Sequence, residues 1–372
     1  MTQATGKTVY VLGAGASYHT GAPLLRDFLV RARLLHEGRK PLHYKDSFGR
    51  VFQWIDKLRS SSYYVEFDLD NLEHVFSLAD MSRQIGLPEG KDICSDLTRV
   101  ITETLDQCQI QWKGGRFQPD EVYSEFTQRL QELNELRMKN TGQPHGVFEN
   151  DAVITFNYDV MFDYAMIFHS ADPHYGLGET PPPGRWPVLK MHGSVNWASC
   201  KSCNWYGVIP ANLPFSPTHR LPGTEGTKVD FKMVTEVLPQ KPCDHCRKTG
   251  TLSPIIIPPT WSKAVEGTLI AQVWAAAVKE IQNAFQLVVI GYSMPPTDTF
   301  FQYLLTLGLA SNPRLHRVVV VNNDDSDAFK DRYKRVFARS LHDRGRLQFR
   351  KQKFDEFLRY TGGVQDIGKL ID

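Results

Sequence analysis

Three features of the 372-residue sequence predict an α/β chain built on a parallel sheet. β-Branched strands alternate with amphipathic helices, the first strand ends in a glycine turn, and later strands end in small or polar residues. The length suffices for a large core and a second module. Charged residues make up 23% and the formal net charge is +2, so no whole-molecule field points to nucleic acid or to an acidic surface, and no direct nucleic-acid binding is expected. The opening MTQATGKTVYVLG lacks a basic segment followed by a long apolar run, and no stretch approaches the roughly 20 apolar residues that span a bilayer. A cytoplasmic protein away from the membrane is therefore expected.

Val9, Tyr10, Val11 and Leu12 carry the bias of a buried strand, and Gly13 and Gly15 permit the tight turn that follows. From Pro23 onward, Leu24, Leu25, Phe28, Leu29, Ala32 and Leu35 recur at helical spacing. Strand, glycine turn and helix together form a nucleotide cradle, in which backbone N–H groups at a helix start face a pyrophosphate. Gly13-Ala14-Gly15 lacks the third glycine of the usual dinucleotide fingerprint, and a plain strand-to-helix turn would use two glycines as well.

Residues 37–148 carry few strand signals and many helical ones. EFDLDNLEHVFSLADMSRQI places Leu69, Leu72, Val75, Phe76 and Ala79 at helical intervals. We read 37–150 as a helical insertion whose apolar faces pack on the core, and Asp68, Asp70, Glu73 and His74 as a solvated or capping face rather than a metal cluster.

AVITFNYD (152–159) reads as a buried strand ending in Asn157 and Asp159. Ligands of open α/β sheets lie beyond the carboxyl ends of strands. Capping of a helix near Val160 explains the same two residues equally well. PVLKMHGSVNW (187–197) brings His192 and Gly193 to a second strand end. An isolated histidine is more often structural than catalytic, so this one gains meaning only from its company.

Cys200, Cys203, Cys243 and Cys246 form two C-x-x-C pairs, while Cys94 and Cys108 stand apart. Four thiolates in two tight pairs suit a closed, structural tetrahedral zinc in a module spanning 200–252. The last third, with SPIIIPP, AVEGTLIAQVWAAAVKEIQNA, FQLVVIGYSM, DTFFQYLLTLGLAS and HRVVVVNNDD, returns to alternating strands and helices. Gly291-Tyr292-Ser293 and Asn322-Asn323 would share the sheet edge with residues 13–17; for the serine and the asparagines, turn formation explains the choice as well as ligand contact. Residues 331–372 read as a basic, helical tail. The complete expectation is a discontinuous Rossmann-like domain (1–36, 151–199 and 253–330) with helices on both faces of its parallel sheet, plus the helical insertion, the small four-cysteine zinc module and the tail.

In content and order, Gly13-Ala14-Gly15-x-Ser17, Gly21-Ala22-Pro23-x-x-Arg26, Thr155-Phe156-Asn157-Tyr158-Asp159, His192-Gly193, the two C-x-x-C pairs, Gly291-Tyr292-Ser293 and Val321-Asn322 resemble the sirtuin family. The resemblance implies that Gly13, Ala14, Gly15 and Ser17 hold the phosphates and ribose of NAD, and that Pro23 and Arg26 belong to its cofactor loop. It implies that Asn157 positions a water at the nicotinamide ribose, that Asp159 lines the nicotinamide pocket and that His192 is the general base. Gly291 and Ser293 then meet the ADP-ribose portion, Asn322 the adenosine side, and the cysteines match the zinc ribbon.

Four departures separate this chain from the deacylating members. Leu24 and Leu25 replace the aspartate and the aromatic guard, Phe156 stands for a glutamine, Tyr158 stands for an aliphatic residue, and LSPIIIPPTWSK replaces the stretch that forms the acyl-peptide channel. The pattern is more similar to the sirtuin-like NAD hydrolases of bacterial antiviral defence. The expected activity is therefore cleavage of NAD+ to nicotinamide and ADP-ribose, held in check by a homo-oligomer or a partner protein. An NAD-dependent protein-lysine deacylase and a non-catalytic NAD or ADP-ribose sensor are the alternatives.

Overall fold

The computed structural model describes residues 6–61, 65–109, 112–113, 116–141, 151–177, 185–209, 234–257, 268–295 and 298–360. The chain opens with β1 (Thr8–Leu12), a short 3-10 helix (Ala14–Thr20) and α1 (Phe28–Glu37). It continues through α2 (Lys45–Ser61), α3 (Leu72–Gln84), α4 (Gly90–Gln109), the paired β2 (Trp112–Lys113) and β3 (Arg116–Phe117), and α5 (Glu121–Thr141). Next come β4 (Asp151–Thr155), α6 (Met161–Phe168), β5 (Asp172–His174), β6 (Arg185–Lys190), β7 (Gly193–Cys200), β8 (Tyr206–Val208), α7 (Val234–Val237) and β9 (Leu252–Ile256). The last elements are α8 (Thr268–Gln282), β10 (Gln286–Ile290), α9 (Thr299–Leu309), β11 (Arg317–Asn322), α10 (Asp327–Val336), α11 (Arg339–Asp343), β12 (Leu347–Lys351) and α12 (Phe354–Tyr360).

Among the described residues, seven strands form one parallel sheet in the order β12-β11-β10-β1-β4-β6-β5. Every residue of β1, β4 and β10 is buried, as a sheet covered by helices on both faces requires. From β1 the chain builds outward through β4 and β6, then returns to the other side of β1 as β10. The order therefore reverses at β1, and the crevice beyond β1 and β10 is the switch point where such sheets take ligands. The predicted Rossmann-like sheet, helical insertion and cysteine cluster are all present.

Three local expectations need correction. The helix predicted from Pro23 begins only at Phe28, and the 3-10 helix follows the glycine turn instead. Gly21 ends that helix in the left-handed region (φ 94°), and a Cβ there would lie 2.5 Å from the Cys108 carbonyl oxygen. SPIIIPP does not join the parallel sheet. Its described part, β9, pairs antiparallel with β7 in a separate sheet ordered β8-β7-β9, so residues 193–200 and 252–256 pair beside the cysteines. The basic tail is not simply helical either: β12 adds the seventh strand beside β11. Exposed Arg350 and Lys351 lie on that edge strand, where charge discourages pairing with another chain. The ends of the insertion and tail readings (142–150 and 361–372) and the channel-replacing residues 258–263 lie outside the described residues.

Capping side chains set several helix starts. Asn71 accepts the Glu73 N–H at α3, Asp298 the Phe301 N–H at α9, and Asp120 the Val122 and Tyr123 N–H groups at α5. Asp68 accepts the Asp70 N–H, in keeping with a local solvated turn. Between α4 and α7, buried Asp106 accepts both the N–H and the hydroxyl of Thr235 at 2.8 and 2.9 Å. Burial pushes its carboxyl up to about 7 against these hydrogen bonds, and the charge of Glu103 adds to the rise.

Two predictions concern stability. A carboxyl raised by folding binds more protons in the native than in the unfolded state between its two pKa values, so its contribution falls as pH rises from about 4 to about 7. Thermal melts of the parent chain should show that decline, and Asp106→Asn should flatten it while keeping an acceptor for Thr235. Gly291 adopts φ 62° with its ideal Cβ only 2.2 Å from Ala16 N. Gly291→Ala should lower stability by roughly 3 kcal/mol in urea unfolding through combined strain and overpacking.

Candidate functional site

The two glycine turns meet first. Gly13 N–H donates to Ile290 O at 2.9 Å, Gly15 N–H to Gly291 O at 2.8 Å, and Gly291 N–H to Val321 O at 2.9 Å. A Cβ on Gly13 would lie 2.5 Å from Tyr292 Cα, and one on Gly15 would lie 2.8 Å from Gly291 O. The glycines are thus required by the approach of one turn to the other. They bring the ends of β1, β10 and β11 to one edge.

Ser17, one turn into the 3-10 helix and 1% exposed, stands at the centre of a polar knot. Its hydroxyl donates to Asp159 Oδ2 at 2.8 Å, receives Asn157 Nδ2 at 2.9 Å and lies 2.7 Å from the Tyr123 hydroxyl. The second Asn157 amide proton goes to Gly13 O at 3.0 Å. The end of β1 is thereby laced to the end of β4.

The two readings of Asn157 and Asp159 separate here. Asp159 Oδ1 accepts the Met161 N–H at the first turn of α6 at 3.0 Å, whereas Asn157 turns away from that helix toward the glycine turn. Burial pushes the Asp159 carboxyl up, and the Lys190 charge and the Ser17 hydrogen bond oppose that rise. Lys190, 1% exposed at the end of β6, donates to Asp159 O at 2.5 Å and to Asp163 Oδ2 at 3.1 Å. Tyr175 donates to the other Asp163 oxygen at 2.5 Å, so the buried ion pair has satisfied neighbours.

His192 is buried against the two residues that flank Asn157. Its ring lies 5.2 Å from that of Phe156 and 5.9 Å from that of Tyr158, centroid to centroid. The segment around it is pinned by Met191 N–H to Thr155 O, Trp274 Nε1 to Met191 O and Ile257 N–H to His192 O. Phe156 stacks on Tyr292 at 4.9 Å and meets Phe301 edge-on, and Tyr292 donates to Asp298 at 2.6 Å. The Phe156 departure thus supplies an aromatic wall.

The other predicted residues are placed as follows. Ala14 is half-buried in the turn beside Gly13 and Gly15. Asn322, at the end of β11, donates to Tyr292 O at 3.4 Å and accepts the Asp324 N–H. Ser293 is exposed, with its carbonyl receiving Arg332 Nε. Pro23 is half-buried between the 3-10 helix and α1, while Arg26 is exposed and pairs with Asp27 at 3.4 Å. The knot does not include Arg26. Sequence reading missed Tyr123 and Lys190 as site residues and marked Phe156 only as a departure; a lysine inside the apolar run PVLKMHG was the available signal for Lys190.

All four paired cysteines converge, with their sulfurs within 4.8 Å of one another. The two knuckles match. Asn204 N–H donates to Cys200 O and Arg247 N–H to Cys243 O, each at 2.9 Å, and both donors sit in the left-handed region at φ 56° and 62°. Sulfur pairs across the knuckles are 3.7 Å apart. Zn–S bonds of about 2.3 Å place tetrahedral sulfurs about 3.8 Å apart, so the donor set fits zinc held by protein ligands alone.

No family model matches the chain, and no curated protein matches it. Among solved structures, the fold is similar to a Sir2 homolog in complex with NAD, at 17% identity and a TM-score of 0.47, over 98% of this chain and 90% of that one. It is also similar to a Sir2 with a p53 peptide and NAD+, at 16% identity and a TM-score of 0.41, over 98% and 94%. A third, Sir2Tm bound to a propionylated peptide, shows 14% identity and a TM-score of 0.38 over 98% and 94%. Among the described residues no helix is long and apolar enough to cross a membrane.

Cys243→Ser should release one equivalent of zinc from freshly purified chain and lower its melting temperature. Elemental analysis that finds no zinc in the parent protein would remove the metal assignment.

Proposed function

We propose that the chain is an NAD+ glycohydrolase that yields nicotinamide and ADP-ribose. The observation that supports this reading most strongly is the knot itself. An amide, a carboxylate and a serine hydroxyl meet at the switch point of a parallel sheet, beside the glycine turns, and a buried histidine packs on the two residues flanking the amide.

In this reading the glycine turns and Ser17 receive the nucleotide, and Asn157 serves the reacting carbon. Both Asn157 amide protons are committed to protein oxygens, so Oδ1 is the atom that orients a water, whose lone pair is left to attack C1′ of the nicotinamide ribose. The C1′–N bond breaks and its electron pair leaves with nicotinamide. Water oxygen bonds to C1′, and its proton passes to the His192 imidazole. Asp159 adds negative potential beside the oxocarbenium-like centre. The aromatic contacts around His192 keep bulk solvent from that imidazole.

Protein-lysine deacylation uses the same first step with an acyl oxygen in place of water. One observation favours it: β9, an edge strand among the described residues, borders a groove of about 240 Å³ lined by Phe76, Arg83, Thr98, Ser253 and Ile255, and strand edges accept extended peptides. Hydrolysis remains our reading because Leu24 and Leu25 replace the acidic and aromatic pair before Arg26. A chain that drains NAD+ needs restraint in its own cell; assembly with itself or a partner, and a role as an antiviral effector, belong to this same proposal.

Product analysis with NAD+, with and without an acetyl-lysine peptide, separates the readings. Free ADP-ribose without peptide is the expected result, and peptide-dependent O-acetyl-ADP-ribose would replace hydrolysis by deacylation. Asn157→Ala should lower kcat at least about a hundredfold, as loss of a transition-state partner does. Turnover at the parent rate in that variant would remove Asn157 from the mechanism.

A further inference from the structure

Helix α5 belongs to the insertion, yet its Tyr123 hydroxyl lies 2.7 Å from Ser17 Oγ at the end of β1. A serine hydroxyl has one proton to give and two lone pairs with which to receive. Ser17 gives its proton to Asp159 and receives one from Asn157. The remaining contact is therefore donated by the phenol and fills the last lone pair. Burial and the Asp159 charge push the Tyr123 phenol well above its ordinary value, against hydrogen bonds with Ser17 and Asn157 that oppose the rise, so the phenol keeps its proton.

The same 3-10 helix is held by the insertion at two further points. Gln109 Nε2 donates to Thr20 Oγ1 at 2.7 Å, and Asp120 lies 2.9 Å from His19 Nδ1. With Tyr123 in place, Ser17 has no hydrogen-bonding capacity left for a ligand.

We propose that the Tyr123 hydroxyl occupies the position on Ser17 that a ribose hydroxyl of the nucleotide takes, so that the insertion competes with substrate and Tyr123 is a positioning residue that sets nucleotide affinity. The inference rests on the NAD reading above. The two donors are chemically equivalent, each a neutral O–H that gives one hydrogen bond to Ser17 Oγ. A fully ionised phosphate oxygen cannot replace the phenol there, because it has no proton to give. Nucleotide entry then requires the first turn of α5 to withdraw from Ser17.

Tyr123→Phe removes the donor and keeps the ring. Calorimetric titration with NAD+ and with ADP-ribose, together with steady-state kinetics, should show Kd and KM falling about fivefold, the worth of one hydrogen bond, while kcat changes less. In a Ser17→Ala background the same substitution should change neither constant, because no serine hydroxyl is left to compete for. Equal or weaker affinity in the Phe variant overturns the competition. If the variant does not fold, hydrogen exchange of the parent chain decides: saturating NAD+ should speed exchange at residues 121–127, and protection there overturns the proposal. Failure of NAD+ and ADP-ribose to bind either protein removes the NAD reading and this inference together, whereas equal binding to both removes this inference alone.

Discussion

The closest backbone approach in the site, between the turn after β1 and the turn after β10, governs what surrounds it. Gly13, Gly15 and Gly291 let two peptide chains meet where any side chain would force them apart. The resulting bonds from Gly13 and Gly15 to Ile290 and Gly291 align the carboxyl ends of the central strands. Two polar side chains of the candidate site are tied to that edge: Asn157 reaches it through Gly13 O, and Asn322 through Tyr292 O.

Around this contact the protein concentrates polar groups in a region without bulk solvent. Such groups are costly unless paired, and the pairing is extensive. Asp159 receives Ser17 and Met161, Asp163 receives Lys190 and Tyr175, and Asp298 receives Tyr292 and Phe301. Removing one member leaves a buried partner unmet, so the network specifies one arrangement of its side chains. That rigidity fixes the relative positions of the Asn157 amide and the Asp159 carboxylate.

The insertion and the cysteine module are coupled to the sheet by a few buried groups. Tyr123, Gln109 and Asp120 tie the insertion to the 3-10 helix, and Asp106 ties α4 to Thr235 of α7. Asp106 lies in α4, three residues before Gln109, so one helix touches both the 3-10 helix after β1 and α7. The cysteine knuckles close the far end of β7, whose first residue follows His192. A change at either satellite has a short covalent or hydrogen-bonded path to the site.

Local chemistry alone was enough to read the strand–glycine–serine opening, the polar ends of β4 and β6, the paired cysteines and the helical character of the insertion. Each rests on near neighbours: β-branched runs, helical spacing, two thiols in one turn. Long-range pairing decided the rest. SPIIIPP is as β-prone as any strand of the parallel sheet, and only its partner β7 makes it antiparallel. LQFRK becomes a sheet edge because β11 offers a free one, and the helix expected from Pro23 starts only at Phe28, after a turn closed by Asp27 N–H to Leu24 O. Tyr123 carries no distinguishing local signal, being one aromatic among many on an apolar helical stripe. Its hydroxyl gains meaning only where folding sets it against a serine 106 positions away: spacing along a chain records which face a residue occupies, and hydrogen-bond capacity is settled by what that face meets.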